Sequence, residues 1–94
     1  MYSVTYTTAF LRDLAKCEKK HWNVDALEKA IEELMSSDER PLAPRYKDHA
    51  LFGSWKGFRE LHIGSRISNW ILIYQIDGLE LYLTRTGTHD EMFN

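Results

Sequence analysis

The sequence predicts an α+β fold in which a hairpin of two helices packs on one face of a small, mostly antiparallel β-sheet. Three observations predict it. Two stretches in the first half have apolar residues at helical spacing, the second half has strand patterns separated by glycine turns, and an Asp77-Gly78 pair is typical of a hairpin. The predicted order is β-α-α-β-β-β. We expect residues 1–94 to form one domain, because so short a chain cannot build two cores.

A short strand and two helices are predicted in the first half. Residues 2–6 alternate aromatic and β-branched with smaller polar side chains, which is typical of a strand, and Thr7 or Thr8 can cap the next helix. Asn23 can cap the second helix, which residues 36–38 should end. The expected apolar face of the first helix comprises Phe10, Leu11, Leu14, Ala15 and Cys17, and its polar face Arg12, Asp13, Lys16, Lys19 and Lys20. The apolar stripe of the second comprises Val24, Leu27, Ile31, Leu34 and Met35.

The second half reads as a connector followed by three strands. Two prolines make residues 40–51 an ordered loop, and residues 58–63 a strand. Residues 69–76 are almost continuously apolar, as in a central strand that is buried on both faces. Residues 79–85 complete the hairpin, with Leu79, Leu81 and Leu83 on one face. Gly87 is expected to break that strand, and a loop or single helical turn should follow.

The charge distribution is more informative than the net charge of −2, which does not indicate a nucleic-acid binder. Residues 41–74 carry five lysines and arginines against two carboxylates, whereas both flanking segments are acidic. The middle segment could therefore face an anion while the whole molecule stays mildly acidic. Chance clustering on a solvated surface is the alternative.

Composition also bears on the compartment. No stretch approaches the roughly 20 apolar residues that a membrane span needs, and the N-terminus lacks the basic-then-apolar order of a secretion signal. Cys17 is the single cysteine, so no internal disulfide is possible, and we expect it to be a buried filler on its helix. We therefore expect a cytoplasmic protein that does not associate with membranes.

Three of the four histidines are candidates for chemistry. His49, His62 and His89 each border a predicted strand or glycine turn, where a rigid scaffold can aim a side chain. Imidazole both accepts and donates a proton near neutral pH. A single histidine more often serves packing or surface polarity, so a functional reading requires that the three converge.

The second half of the chain resembles the YafQ branch of RelE-type bacterial toxins. The resemblance runs in order over residues 41–93, more than half of the chain, and residues 1–40 agree in pattern alone. The residues that carry it are Tyr46-Lys47-Asp48-His49, Leu51, Gly53-Ser54-Trp55-Lys56-Gly57, Arg59, His62, the WILIY stretch at 70–74, Arg85-Thr86-Gly87-Thr88-His89 and Phe93.

This resemblance implies a RelE-like fold and a ribosome-dependent mRNA endonuclease that a cognate antitoxin holds inactive. It implies no cofactor, and contact with operator DNA only through the antitoxin complex. The family's functional positions map onto His49, His62, Arg85, His89 and Phe93. The family has an aspartate before the central-strand tryptophan, where this chain has Asn69 after a longer loop at 63–68. Asn69 as a hydrogen-bonding residue, Glu60 or nothing must then take the place of that carboxylate.

Metal-free RNA cleavage needs groups that this half of the chain contains. A base must take the 2′-hydroxyl proton, an acid must protonate the leaving 5′-oxygen, and a cation must stabilise the charge on phosphorus. We assign the base to His62 or His49, the acid to His89 and the phosphate contact to Arg85. The expected products are a 2′,3′-cyclic phosphate and a 5′-hydroxyl. Further RNA contacts are expected from Phe93, Trp55, Lys47, Lys56, Arg59 and Arg66.

The sequence leaves alternatives open at several positions. Phe93 can close the core instead, Trp55 can pack under a loop, and Glu60 can form an ion pair with His62 on the same strand face. Strand alternation places Arg85 with the hairpin leucines, which would bury it unless a bulge, twist or strand end intervenes.

Two other functions compete with the nuclease. A catalytically weakened module of the same fold could bind antitoxin or DNA as a regulator. A metal site could form from His49, His62 and His89, although no CxxC or HxxxH pair indicates one.

Overall fold

The computed structural model describes residues 2–93, and its architecture confirms the predicted α+β class. Two helices pack on a five-stranded sheet whose strand order is β1-β5-β4-β3-β2. The strands are β1 Ser3–Tyr6, β2 His49–Ala50, β3 Arg59–His62, β4 Trp70–Asp77 and β5 Glu80–Thr88. The helices are α1 Thr8–Lys19, α2 Val24–Ser36 and α3 His89–Phe93. β1 pairs with β5 in parallel and the other neighbours are antiparallel. The prediction missed the two-residue strand β2.

The first helix follows its predicted cap but not all of its predicted faces. Thr7 is the N-cap, and its Oγ1 accepts a hydrogen bond from the Phe10 amide at 3.0 Å. Leu11, expected on the apolar face, is 51% exposed, whereas Asp13, expected in water, is buried. Asp13 is buried because its carboxylate bonds to β5, as described below. Asn23 occupies the N-cap position of α2, but its side chain makes no capping hydrogen bond.

The central strand β4 is buried on both faces, as predicted. Leu72 and Tyr74 point into the main core beneath α1 and α2, where Leu27 and Leu34 of α2 also lie. On the opposite face a second, smaller apolar cluster comprises Ile71, Ile73 and Met92, with Leu51, Trp55 and Phe58 packed against it. The second face is therefore partly covered by α3 and by the loop before β3.

Strand β5 differs from the prediction in three ways, and one of them relocates Arg85. Gly87 does not break the strand, which continues to Thr88, and Leu79 lies in the turn with 72% of its surface exposed. A β-bulge opposite Ile73 and Tyr74 pairs Tyr74 with Leu83 and Ile73 with Arg85, which leaves Thr84 as the extra residue. The bulge shifts the alternation, so Arg85 lies on the face of Ile73 rather than on that of Leu83.

Helix α1 covers the edge of β5 where β1 has ended. The pairing of β1 with β5 stops at Leu83, and beyond it the Thr86 amide donates to the Asp13 carboxylate at 3.1 Å. A side chain of α1 thus satisfies a backbone donor that would otherwise be unpaired in a buried position. Cys17, one turn further along α1, is buried as predicted, and burial raises the pKa of its thiol to about 11. None of the described helices is long and apolar enough to cross a membrane.

Asp48 anchors the connector between α2 and β3 to the sheet. Its buried carboxylate accepts hydrogen bonds from the Leu42 amide at 2.9 Å, the Tyr74 hydroxyl at 2.5 Å and the Arg59 Nε at 3.2 Å. Burial, and then the neighbouring Asp48 carboxylate, raise the pKa of Tyr74. The connector that carries His49 therefore has a fixed position against β3 and β4.

We predict that Asp48→Ala lowers the free energy of unfolding by about 3–5 kcal/mol, because it leaves the buried Leu42 amide and Tyr74 hydroxyl without an acceptor and removes the carboxylate that pairs with Arg59. Urea unfolding followed by circular dichroism measures this change. Asp38→Ala, which alters an exposed residue of the same connector, should change the stability by no more than about 0.5 kcal/mol. Equal stabilities of the two variants would contradict the assignment.

Candidate active site

The three predicted histidines converge on one buried carboxylate. The Glu60 Oε2 atom lies 2.8 Å from the Nε2 of His89 and 3.5 Å from the Nε2 of both His49 and His62. The Glu60 side chain is 3% exposed. Glu60 lies near the middle of this group, a more central place than the uncertain supporting role predicted for it.

The sheet register places these side chains. His49 on β2 pairs with Glu60 on β3, and His62 lies two residues further along β3, on the same face. His89 is the first residue of α3, which begins directly where β5 ends. Three different elements therefore supply the imidazoles, and a strand supplies the carboxylate.

Backbone carbonyls set the tautomers of two of the histidines. The Nδ1 atom of His62 lies 2.6 Å from the Ser68 carbonyl oxygen, and that of His49 lies 2.7 Å from the Lys47 carbonyl oxygen. A carbonyl oxygen only accepts hydrogen bonds, so each Nδ1 carries a proton. In the neutral rings the Nε2 atoms facing Glu60 then carry lone pairs. The His62 Nε2 is buried and has no hydrogen-bond partner among residues 2–93.

His89 has the complementary arrangement. Its Nε2 is within hydrogen-bond distance of the Glu60 carboxylate, and an ionised carboxylate only accepts, so His89 carries a proton on Nε2. The side chains of His49 and His89 are 44% and 39% exposed, whereas that of His62 is 7% exposed. Solvent thus reaches two of the three imidazole side chains, which lie beside a buried carboxylate and a buried imidazole.

Aromatic side chains lie beside the partly exposed His89. Phe93 stacks on the His89 ring with centroids 5.7 Å apart and planes inclined by 29°, and Trp55 meets Phe93 edge-on at 5.7 Å. Phe93 is 41% exposed, so it does not close the core, and Trp55 is half-buried on the second apolar cluster. Phe93 leaves an exposed ring surface beside the imidazole group.

Arg85 is the predicted catalytic residue whose hydrogen-bond partner lies outside the histidine group. Asp13 holds its guanidinium from the side, with Nε 2.6 Å from Oδ2 and Nη2 3.2 Å from Oδ1. The hydrogen bonds that Arg85 donates to the Asp13 carboxylate raise the pKa of the guanidinium. Arg85 is cross-strand to Ile73, which is cross-strand to Glu60, so two strand spacings, roughly 9–10 Å, separate the backbones of Arg85 and Glu60.

The predicted RNA-binding residues divide into two groups. Lys47, Lys56 and Arg66 are exposed and make no ion pair within residues 2–93. Arg59 instead donates from Nε to Asp48 and to the Tyr74 hydroxyl, so part of its guanidinium serves the connector. Asn69 is exposed and lies in the loop whose Ser68 carbonyl orients His62.

Sequence reasoning missed Asp13 and the carbonyl of Ser68. Asp13 could have been found, because it lies three residues after Phe10 and four before Cys17, which places it on the buried face of α1. A carboxylate in an apolar stripe needs a buried partner. The role of Ser68 has no sequence signal, because any residue offers the same carbonyl.

Part of this site has the composition of a metal centre. Glu60, His62 and His89 each offer one ligand atom, and these atoms lie within 4.8 Å of one another. Two imidazoles and a carboxylate suit several first-row transition metals. The group can therefore serve either proton transfer or metal binding.

Comparison with known proteins finds bacterial toxins. Residues 2–94 match the model of a family described as bacterial toxin of type II toxin-antitoxin system, YafQ. The mRNA interferase toxin YafQ of Escherichia coli strain K12 is 37% identical over 90 residues, which cover 96% of this chain and 94% of that protein.

Solved structures of such toxins superpose on this chain along its length. A crystal structure of YafQ from E. coli strain BL21(DE3) has a TM-score of 0.88 at 33% identity and covers 100% of both chains. YafQ in the E. coli DinJ–YafQ toxin–antitoxin complex has a TM-score of 0.85 at 34% identity over 99% of this chain and 98% of that one. A metal-bound toxin from Helicobacter pylori has a TM-score of 0.84 at 37% identity over 99% and 100%.

We predict that neutral His49 and His62 both carry their proton on Nδ1, because each Nδ1 faces a carbonyl oxygen. Long-range proton–nitrogen NMR correlations of the imidazole rings distinguish the protonated from the unprotonated nitrogen. Exposed His21, whose side chain makes no hydrogen bond within residues 2–93, should show a mixture of tautomers. A proton on Nε2 of either His49 or His62 would refute the arrangement.

Proposed function

Because this chain belongs to the YafQ family of bacterial toxins of type II toxin–antitoxin systems, we propose that it cleaves messenger RNA on the ribosome by metal-independent proton transfer. The family membership and the enzyme class agree with the sequence prediction, since the curated relatives are mRNA interferases, which are endoribonucleases. One observation supports the mechanism: three Nε2 atoms lie within 3.5 Å of the buried Glu60 carboxylate.

The exposed histidines are the groups that can touch RNA. His89 in its doubly protonated form gives the proton on Nδ1 to the leaving 5′-oxygen, while its Nε2–H remains hydrogen-bonded to Glu60. His49, whose Nε2 is unprotonated in the neutral ring and whose side chain is 44% exposed, takes the proton of the 2′-hydroxyl. The 2′-oxygen then attacks phosphorus, which produces a 2′,3′-cyclic phosphate and a 5′-hydroxyl. Each proton transfer typically contributes about 10²–10⁴-fold to the rate.

Buried groups hold these two imidazoles in place. Glu60 accepts from His89 and faces His49, so one carboxylate positions both the acid and the base. His62 is 7% exposed and lies behind Glu60, and we assign it a positioning role rather than contact with the substrate. Phe93 stacks on a base beside the scissile bond, which is worth roughly 1–3 kcal/mol for an aromatic platform.

Positive side chains around the site hold the RNA backbone. Lys47 and Lys56 are exposed on the connector that carries His49 and on the turn before β3, and Arg66 is exposed in the loop after β3. Their charges suit the phosphates of messenger RNA or of ribosomal RNA. Arg85 adds its charge from the side of β5 that faces α1.

The antitoxin follows from the family. Relatives have been solved as the DinJ–YafQ complex, and we propose that this chain is held inactive in the cytoplasm by a cognate antitoxin of its own. Such a partner would compete with RNA for the same positive surface. Operator DNA would be contacted only through that complex.

Metal binding is the second candidate function. Glu60, His62 and His89 offer ligand atoms within 4.8 Å of one another. The hydrogen bonds from Nδ1 of His62 and His49 to carbonyl oxygens are of the kind that metal-bound imidazoles make. A metal would occupy the Nε2 atoms that proton transfer needs. Cleavage that EDTA leaves unchanged supports the metal-free reaction, whereas loss with EDTA and recovery with added zinc would support metal assistance.

We predict that His49→Ala and His89→Ala each lower the single-turnover cleavage rate by about 10²–10⁴-fold, because each removes one proton transfer. The rate is measured on a synthetic mRNA bound to purified ribosomes. His21→Ala, which alters an exposed histidine outside the site, should cleave at the wild-type rate. Folded His49→Ala and His89→Ala variants that cleave like the wild type would leave a binding module as the better explanation.

Ribosome dependence is tested separately. Primer extension on a cellular transcript after brief induction, with and without a translation inhibitor, reports both cleavage and its need for translation. We expect cuts that disappear when ribosomes are cleared from the transcript, and 5′-hydroxyl ends at each cut. Equal cutting of naked RNA would contradict ribosome dependence while leaving the proposed chemistry intact.

A further inference from the structure

A cationic groove lies between α1 and the end of β5, outside the histidine group. It consists of two adjoining cavities of about 270 and 220 Å³, which share Asp13, Lys16 and Arg85 in their linings. Arg12 lines the smaller cavity, and Lys20, Gly87 and Glu91 line the larger one. Both cavities are partly open to solvent.

The groove carries an excess of positive charge in a chain whose net charge is −2. Four cationic side chains line it against two carboxylates, and both carboxylates are already engaged. Asp13 binds Arg85 and the Thr86 amide, and Glu91 binds Lys20 at 3.4 Å and the Thr88 amide at 2.9 Å. Arg12 and Lys16 make no ion pair within residues 2–93, so their charge is available to an anion.

Asp13 presents Arg85 to this groove. The Asp13 carboxylate accepts hydrogen bonds from Nε and Nη2 of the guanidinium. The remaining terminal nitrogen, Nη1, makes no hydrogen bond within residues 2–93. Asp13 is itself buried and is held by the Thr86 amide, so the position of the guanidinium is fixed from the protein side. A guanidinium held in this way has donors left for a phosphate.

The groove is adjacent to the histidine group but separate from it. Gly87 lines the groove and is cross-strand to Ile71, which is cross-strand to His62. Two strand spacings, roughly 9–10 Å, therefore separate the two sites at the level of the sheet. Helix α3 lies between them, with His89 contacting Glu60 and with Glu91 and Met92 lining the groove.

We propose that this groove binds a phosphate of the messenger RNA that flanks the scissile phosphodiester, with Asp13 as the positioning residue for Arg85. The proposal rests on the proposed nuclease function and specifies how the substrate lies. The RNA strand crosses α3, so that its scissile phosphate meets the histidines and a neighbouring phosphate meets Arg85, Lys16 and Arg12. Arg85 then contributes to binding of the strand rather than to the charge on the reacting phosphorus.

The test combines one side-chain variant with a scan of the RNA backbone. Lys16→Ala removes an unpaired cation of the groove, and Lys19→Ala removes an exposed lysine of the same helix that lines neither cavity. Synthetic messenger RNAs carry an uncharged methylphosphonate at one phosphate at a time around the cut. Single-turnover cleavage on ribosomes is measured against toxin concentration and salt.

We expect Lys16→Ala to raise the toxin concentration that gives half-maximal cleavage several-fold and to leave the maximal rate unchanged. It should also lower the slope of the logarithm of affinity against the logarithm of salt concentration by about 1. The loss should vanish on the RNA that lacks one particular flanking charge, because the contact is then already absent. Lys19→Ala should match the wild type on every RNA. Asp13→Asn should also weaken binding, and this loss should also vanish on the RNA that lacks the same phosphate charge. When Arg85→Ala is already present, Asp13→Asn should cause no further loss.

Three results would overturn the proposal. The first is that the loss caused by Lys16→Ala vanishes only when the scissile phosphate itself is uncharged, which would mean that the groove binds the reacting phosphate. The second is weaker binding that no methylphosphonate relieves, which would assign the groove to ribosomal RNA. The third is wild-type behaviour of Lys16→Ala. If His49→Ala and His89→Ala also cleave normally, the nuclease mechanism itself has failed, so the two failures are distinguishable.

Discussion

The site depends on a carboxylate that is removed from water. Glu60 is 3% exposed, and an ionised carboxylate at such a position is costly unless donors surround it. His89 supplies one donor at 2.8 Å, and His49 and His62 face the same oxygen at 3.5 Å. This one buried carboxylate is therefore the point at which imidazoles that are far apart in the sequence meet. The side chains of His49 and His89 nevertheless remain 44% and 39% exposed.

The sheet decides which residues can join this group. Three consecutive strands put Glu60, Ile73 and Arg85 in one row across the face that α3 partly covers. The bulge in β5 turns Arg85 onto that face, but α1 captures its guanidinium through Asp13 at the edge that β1 leaves free. A side chain in this row therefore does not necessarily belong to the histidine group. The histidines contact Glu60 of β3, whereas Arg85 contacts Asp13 of α1.

Much of the fold was predictable, because local patterns agree with the final structure. The apolar run of β4, the turn at Gly78 between β4 and β5, and the Thr7 cap each have a local physical cause. The misassigned residues depend on distant partners. Leu79 is exposed because it lies in the turn, and Asp13 is buried because a strand edge needs an acceptor. The three histidines were identified from residue type and resemblance, whereas the central place of Glu60 and the distance of Arg85 depend on register and on a bulge that no local pattern indicates.

The cleavage rate of Glu60→Ala tests the central claim most directly. If this carboxylate positions the acid and the base, the variant should unfold cooperatively yet cleave ribosome-bound mRNA about 10²-fold or more slowly than the wild type, comparable to the loss of one catalytic imidazole. A folded Glu60→Ala variant that cleaves at the wild-type rate would show that the histidines act without their shared partner, and would contradict the account.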